Sequence, residues 1–96
     1  MKKVVLLPHA EKRRQEICPH FSAWSIREKF HKFINLTPRE VGEIGLLYSH
    51  RQEFKISPFG DFVFITEQER GFVTIVTIRS VAPQFLCVLR HARQNR

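Results

Sequence analysis

The sequence predicts an α+β domain, with two to three N-terminal helices packed on a three- to four-stranded antiparallel sheet. Two observations carry this. Helical signals, with caps and i, i+4, i+7 spacing, fill the first half, whereas from Leu46 onward the apolar period falls to two. Helices and strands also form separate blocks rather than alternating, which argues against a parallel α/β sheet. With 96 residues and 43% apolar content, the chain has material for one small core, so residues 1–96 read as a single domain.

Met1-Lys2-Lys3 carries the charge of a signal-peptide start, but the apolar run Val4-Val-Leu-Leu7 is only four residues and Pro8-His9 ends it. A secretory core needs about 7–15. The run therefore reads as an opening strand in a cytoplasmic protein. A first helix is expected from Pro8 to about Ile17, stopped by Pro19. A second follows, with a capping box at Ser25-Ile-Arg-Glu28 or an earlier start at Ser22. Ile26, Phe30, Phe33 and Ile34 give it one apolar face, and Arg27, Lys29, His31 and Lys32 make the other face basic. A short third helix starts at Thr37-Pro-Arg-Glu40, where Thr37 caps, Pro38 takes the first turn and Glu40 closes the box.

Phe54 and Ile56 then alternate with Arg51, Glu53 and Lys55. Pro58-Phe-Gly-Asp61 is a turn by composition, residues 62–66 a strand and residues 67–71 a second turn. Phe72–Ser80 is β-branched throughout and is the clearest strand. Phe54, Ile56, Phe64, Val76 and Ile78 are the expected sheet core, with Ile26, Phe30, Phe33 and Ile34 packed on it. Residues 85–89 suggest a last short strand, and residues 90–96 a frayed basic tail.

Composition excludes several classes of function. Nine phenylalanines and one tryptophan argue against disorder. No apolar run approaches the 18 residues of a membrane span. Two cysteines, Cys18 and Cys87, cannot make a disulfide scaffold, and both read as reduced. Phosphate-loop, dinucleotide and nucleophile-elbow patterns are missing, and the histidines lack partners at metal-ligand spacing, so no cofactor and no metal are expected. Trp24 and Tyr48 read as core or rim. Sixteen Lys and Arg against nine Asp and Glu leave a formal charge of +7, concentrated toward the two ends of the chain. Such a charge suits RNA or an acidic protein as partner.

Two clusters are candidates for chemistry. His9-Ala-Glu-Lys12-Arg13-Arg14 opens the first helix directly after the first strand, where His serves proton transfer and Arg holds phosphate; a solvated helix face explains it equally. Arg51, Glu53 and Lys55 on one strand, with Thr77 and Arg79 on another, cradle a phosphodiester if the two faces coincide; any half-exposed sheet gives the same alternation. Leu36-Thr-Pro-Arg-Glu40 has the opening of a helix-turn-helix, but strand-like residues follow where its second helix belongs.

The order His9-Ala-Glu-Lys-Arg-Arg, the amphipathic Ser25–Ile34 segment, Gly60-Asp-Phe-Val-Phe-Ile and Val73-Thr-Ile-Val-Thr-Ile-Arg79-Ser80 resembles small toxins of the BrnT type, within the wider RelE-like group of microbial ribonucleases. The resemblance covers about residues 4–82. Residues 38–47 depart from it as an extra element, and Pro83 and residues 85–89 stand where a basic helix is usual. It implies metal-independent RNA cleavage, an antitoxin partner, and roles for His9, Arg13 or Arg14, Arg51 and the Arg79-Ser80 pair. On that reading Glu53 or His9 takes the 2′ proton, Arg51 and Arg79 hold the phosphorane, and His50 protonates the leaving oxygen. Lys12, Arg13, Arg14, Arg27, Lys29, Lys32 and Lys55 then bind the strand. The alternative is a non-catalytic, phage-type accessory protein that binds an acidic host protein or a nucleic-acid-processing enzyme.

Overall fold

The computed structural model describes residues 3–58, 60–85, 87, 90 and 94. The class is α+β; among the described residues, three helices with full bounds pack on a five-stranded mixed sheet. Strand β1 (Lys3–Leu6) leads into helix α1 (Pro8–Ile17). Helix α2 (Ala23–Lys29) continues into a 3₁₀ turn (Phe30–Lys32), strand β2 (Ile34–Asn35) and helix α3 (Pro38–Glu43). Strands β3 (Glu53–Ile56), β4 (Phe62–Glu69) and β5 (Phe72–Ser80) follow, then a 3₁₀ turn at Pro83–Phe85. The sheet order is β1-β5-β4-β3-β2. The β2-β3-β4-β5 pairings are antiparallel, and β1 joins β5 in parallel.

Both faces of the sheet are packed. On one, α1, α2 and the first 3₁₀ turn bury Val4, Ala10, Cys18, Ile26 and Phe33 against Phe62, Phe64, Ile75 and Ile78. The rings of Phe33 and Phe64 stack there at 4.4 Å and 9°. On the other face, Leu36, Val41 and Ile44 from the α3 segment cover Phe54, Ile56, Val63 and Ile65. No helix of the described residues is long and apolar enough to cross a membrane.

Capping sets the helix starts. Ser22, the earlier of the two expected caps, accepts from the Ser25 N–H at 3.1 Å. Thr37 and Glu40 close their capping box at 3.2 and 2.7 Å. The first helix has its expected bounds.

Several expectations are corrected. The sheet has five strands rather than three or four and is mixed, because β1 adds a parallel edge to the antiparallel run. The second helix stops before Ile34, which crosses to the α3 face as part of β2 while Phe33 stays under α2. A helix followed by a 3₁₀ turn keeps the apolar residues at similar spacing, so periodicity alone missed the strand. Residues 67–69 are not turn but strand, paired with Thr74, Val73 and Phe72. The turn is only Arg70-Gly71, with Gly71 at φ +78. Val76 is half-buried, not core, because the register shifts beside it at Ile65/Thr66. The expected strand at 85–89 is contradicted where it is described, since Phe85 lies in the 3₁₀ turn and Cys87 is helical. Arg90 and Gln94 of the expected frayed tail are helical too; residues 86, 88, 89, 91–93, 95 and 96 lie outside the described residues.

Candidate functional site

The register overturns the expected phosphodiester cradle. β3 and β5 are not neighbours, since β4 lies between them. Phe54 and Ile56 face α3, so Glu53 and Lys55 face α2. Val63 and Ile65 also face α3, and their partners Arg79 and Thr77 share that side. Glu53 and Lys55 are therefore on the opposite face from Thr77 and Arg79. Arg51 is not on the strand at all but in the exposed turn before it.

The other expected residues are dispersed. His9 is exposed in the first turn of α1, and Lys12 is exposed farther along. Arg13 donates to the Ile78 carbonyl at 3.3 Å and pairs with Glu16 at 2.8 Å. Arg14 holds both Glu11 oxygens and the carbonyls of Pro19 and Phe21. His50 is exposed, edge-on to Tyr48 at 5.3 Å. Glu53 accepts from Gln68 at 3.3 Å and sits 3.7 Å from Lys55. Lys55 reaches the Asn35 side chain and lies 5.2 Å from the Phe30 ring centroid; burial pulls its ammonium below the ordinary lysine range. Arg27 is exposed and donates to the Val4 carbonyl at 3.3 Å. Trp24, expected in core or rim, is 67% exposed.

Lys29 and Lys32 do converge, on a pocket of about 190 Å³ that also takes in His20, Phe21, Phe33, Ser57, Pro58, Asp61 and Phe62. Three segments build it: the loop after α1, the α2–3₁₀ segment and the β3–β4 turn. Its base is aromatic. Phe21 packs against Phe62 at 5.8 Å and Phe33 at 6.3 Å, and Phe33 against Phe62 at 5.7 Å. Lys29 Nζ stands 5.9 Å from the Phe21 ring centroid, within cation–π reach. Arg14 fixes the incoming loop through its bonds to the Pro19 and Phe21 carbonyls, which places His20 and Phe21.

The β3–β4 turn supplies a polar wall. Ser57 is 1% exposed. Its hydroxyl donates to Asp61 Oδ1 and accepts from the Gly60 and Asp61 N–H groups at 3.1 and 3.2 Å. Gly60, at φ +77, allows the sharp turn. Cys18 borders this region from inside the core, and burial pushes its thiol up, away from nucleophilic use.

Sequence reasoning selected Lys29 and Lys32 but missed His20, Phe21, Ser57, Asp61 and Phe62 as lining, and read Pro58-Phe-Gly-Asp61 only as a turn. The four-residue Ser57…Asp61 spacing was the available signal. Comparison with protein-family models, curated proteins and solved structures finds no match to this chain.

Proposed function

We propose that the protein binds single-stranded RNA through the pocket between the loop after α1, α2 and the β3–β4 turn. The observation that supports this most directly is the aromatic base carrying Lys29, Lys32 and His20 on its rim. Unpaired bases are bound by aromatic surfaces, and their phosphates by cations beside them. The net charge of +7 adds long-range attraction for a polyanion.

The test is affinity for a fluorescent single-stranded RNA as a function of salt. Each phosphate held lowers the slope of log K against log salt by about 0.7. Lys29→Ala and Lys32→Ala should each remove about that much slope. Arg39→Ala, on α3 at the other face, should change nothing. Salt-independent affinity, or equal loss from all three variants, defeats the reading.

His20 on the same rim favours a second reading, metal-independent cleavage of the kind expected of an RNA-cleaving toxin. The 2′-hydroxyl attacks the adjacent phosphorus, its proton passes to His20, and the 5′ oxygen leaves with a proton from solvent. A cyclic 2′,3′-phosphate and a 5′-hydroxyl end result. The lysines stabilise the charge on the phosphorane. Cleavage with excess chelator, lost in His20→Ala and blocked by 2′-deoxy substitution, is the expected result. Intact RNA together with tight binding leaves the protein a binder, and intact RNA with no binding favours the accessory-protein alternative.

A further inference from the structure

The pocket carries one group that a general phosphate site does not need. Asp61 places a carboxylate on a rim whose other charged groups are Lys29 and Lys32, with the His20 imidazole beside them. No lysine or arginine of the described residues lies within ion-pair distance of it. It is also fixed in orientation, because the buried Ser57 hydroxyl holds Oδ1 while accepting from two backbone N–H groups of the same turn. Among the described residues, Oδ2 accepts no hydrogen bond. The result is an oriented acceptor edge above an apolar base.

From this geometry we infer that the pocket takes a guanine nucleotide of the bound RNA, an inference that rests on the RNA-binding reading above. A carboxylate only accepts hydrogen bonds. Guanine presents two adjacent donors on one edge, N1–H and N2–H. Adenine and cytosine each present one donor beside a ring-nitrogen acceptor, and uracil presents one donor between two carbonyls. Those acceptors would face the carboxylate oxygens and be repelled. Lys29 and Lys32 then meet the phosphates on either side of the nucleotide. A volume of about 190 Å³ is below the range of drug-sized ligand sites and suits a single base.

The experiment compares a ten-nucleotide oligouridylate with the same strand carrying one central guanosine. The wild type should bind the guanosine strand about tenfold or more tightly, the usual discrimination of a two-bond base contact. Asp61→Asn keeps an oxygen for Ser57 but turns the other position into a donor. It should erase the preference, and an unchanged urea-unfolding midpoint shows that the variant is folded. Ser57→Ala should reduce the preference, since Ser57 only positions the carboxylate. Guanosine monophosphate should compete only at concentrations at least tenfold higher than the strand, because it carries one phosphate where the strand offers one on each side of the nucleotide. Equal binding of the two strands, or a preference that survives Asp61→Asn, overturns the guanine assignment and leaves RNA binding standing. A mononucleotide that binds as tightly as the strand overturns the RNA source in favour of the free nucleotide. Failure to bind either strand at low salt defeats the RNA reading itself.

Discussion

Arg14 donates from Nε and Nη2 to the two carboxylate oxygens of Glu11, at 2.9 and 2.7 Å. The third nitrogen of the same guanidinium reaches the carbonyls of Phe21 and Pro19 at 3.0 and 3.4 Å. One side chain therefore joins the first turn of α1 to the loop that lines the pocket. Loss of Arg14 should act on stability and on binding together. Arg14→Ala should cost about 2 kcal/mol in urea unfolding, in line with a charged, largely shielded hydrogen-bond set. Arg14→Lys should recover little of it, because an ammonium cannot reproduce the two-pronged contact. A loss below about 0.5 kcal/mol for Arg14→Ala would show that the loop is held by other means.

The same pair fixes a pH dependence. The hydrogen bonds from Arg14 hold the Glu11 carboxyl below its ordinary value of 4.5. A depressed folded-state pKa contributes stability that is complete above the unfolded value and is lost as pH falls through the folded one. Glu11 is 36% exposed in its side chain, so screening keeps the contribution to about 1 kcal/mol or less. Between pH 6 and pH 3, Glu11→Gln should lose less stability than the wild type. Parallel curves for the two proteins would refute the assignment.

Lys55 has the opposite sense. Desolvation is the largest influence on it and lowers its pKa from 10.5, against the weaker pull of Glu53. Folding then favours the neutral amine, and stability rises as pH climbs from below the folded pKa to 10.5. Lys55→Met removes the buried charge and keeps the chain volume. At pH 7 it should be at least as stable as the wild type, and the difference should shrink as pH approaches 10. A marked loss of melting temperature at pH 7 would mean that the contacts to Asn35, Glu53 and the Phe30 ring outweigh desolvation.

Gly71 closes the β4–β5 hairpin at φ +78, with nothing within 4 Å of where a Cβ would sit. Gly71→Ala therefore meets backbone strain without a clash. The expected cost is about 1–2 kcal/mol, with an unchanged dependence on denaturant. Gly71→Asn should cost less, because Asn tolerates the left-handed region better.

Local rules made much of the fold legible. Pro8, Ser22 and the Thr37–Glu40 box announce three helices, and the β-branched run at Phe72–Ser80 announces the central strand. What stayed hidden depends on contacts distant in sequence. β2 is two residues long and has no pattern of its own; its pairing with Lys55 and Ile56 makes it a strand. The parallel seat of β1 on β5 joins residues nearly 70 apart. The pocket was hidden for the same reason, since His20, Lys29 and Asp61 meet only once α2 has settled on the sheet. Alternation showed that Glu53 and Arg79 were each on one face of a strand, but only the β3–β4–β5 register decides which face.

That register leads to the prediction that most directly separates two locations for RNA. Glu53 pairs with Thr66 on the α2 side, and Arg79 pairs with Val63 on the α3 side, so no single phosphodiester lies between them on one sheet face. Lys32 borders the pocket on the α2 side. Arg79→Ala should leave RNA affinity, and any cleavage rate, within about twofold of wild type, because a lone exposed cation outside the binding face contributes only long-range attraction. Lys32→Ala should weaken affinity severalfold and make the salt dependence shallower, by about 0.7 in slope. The measurement is a pair of salt titrations with the two folded variants. A rate or affinity that collapses in Arg79→Ala while Lys32→Ala behaves as wild type would move the site to the α3 face and remove the pocket from the mechanism.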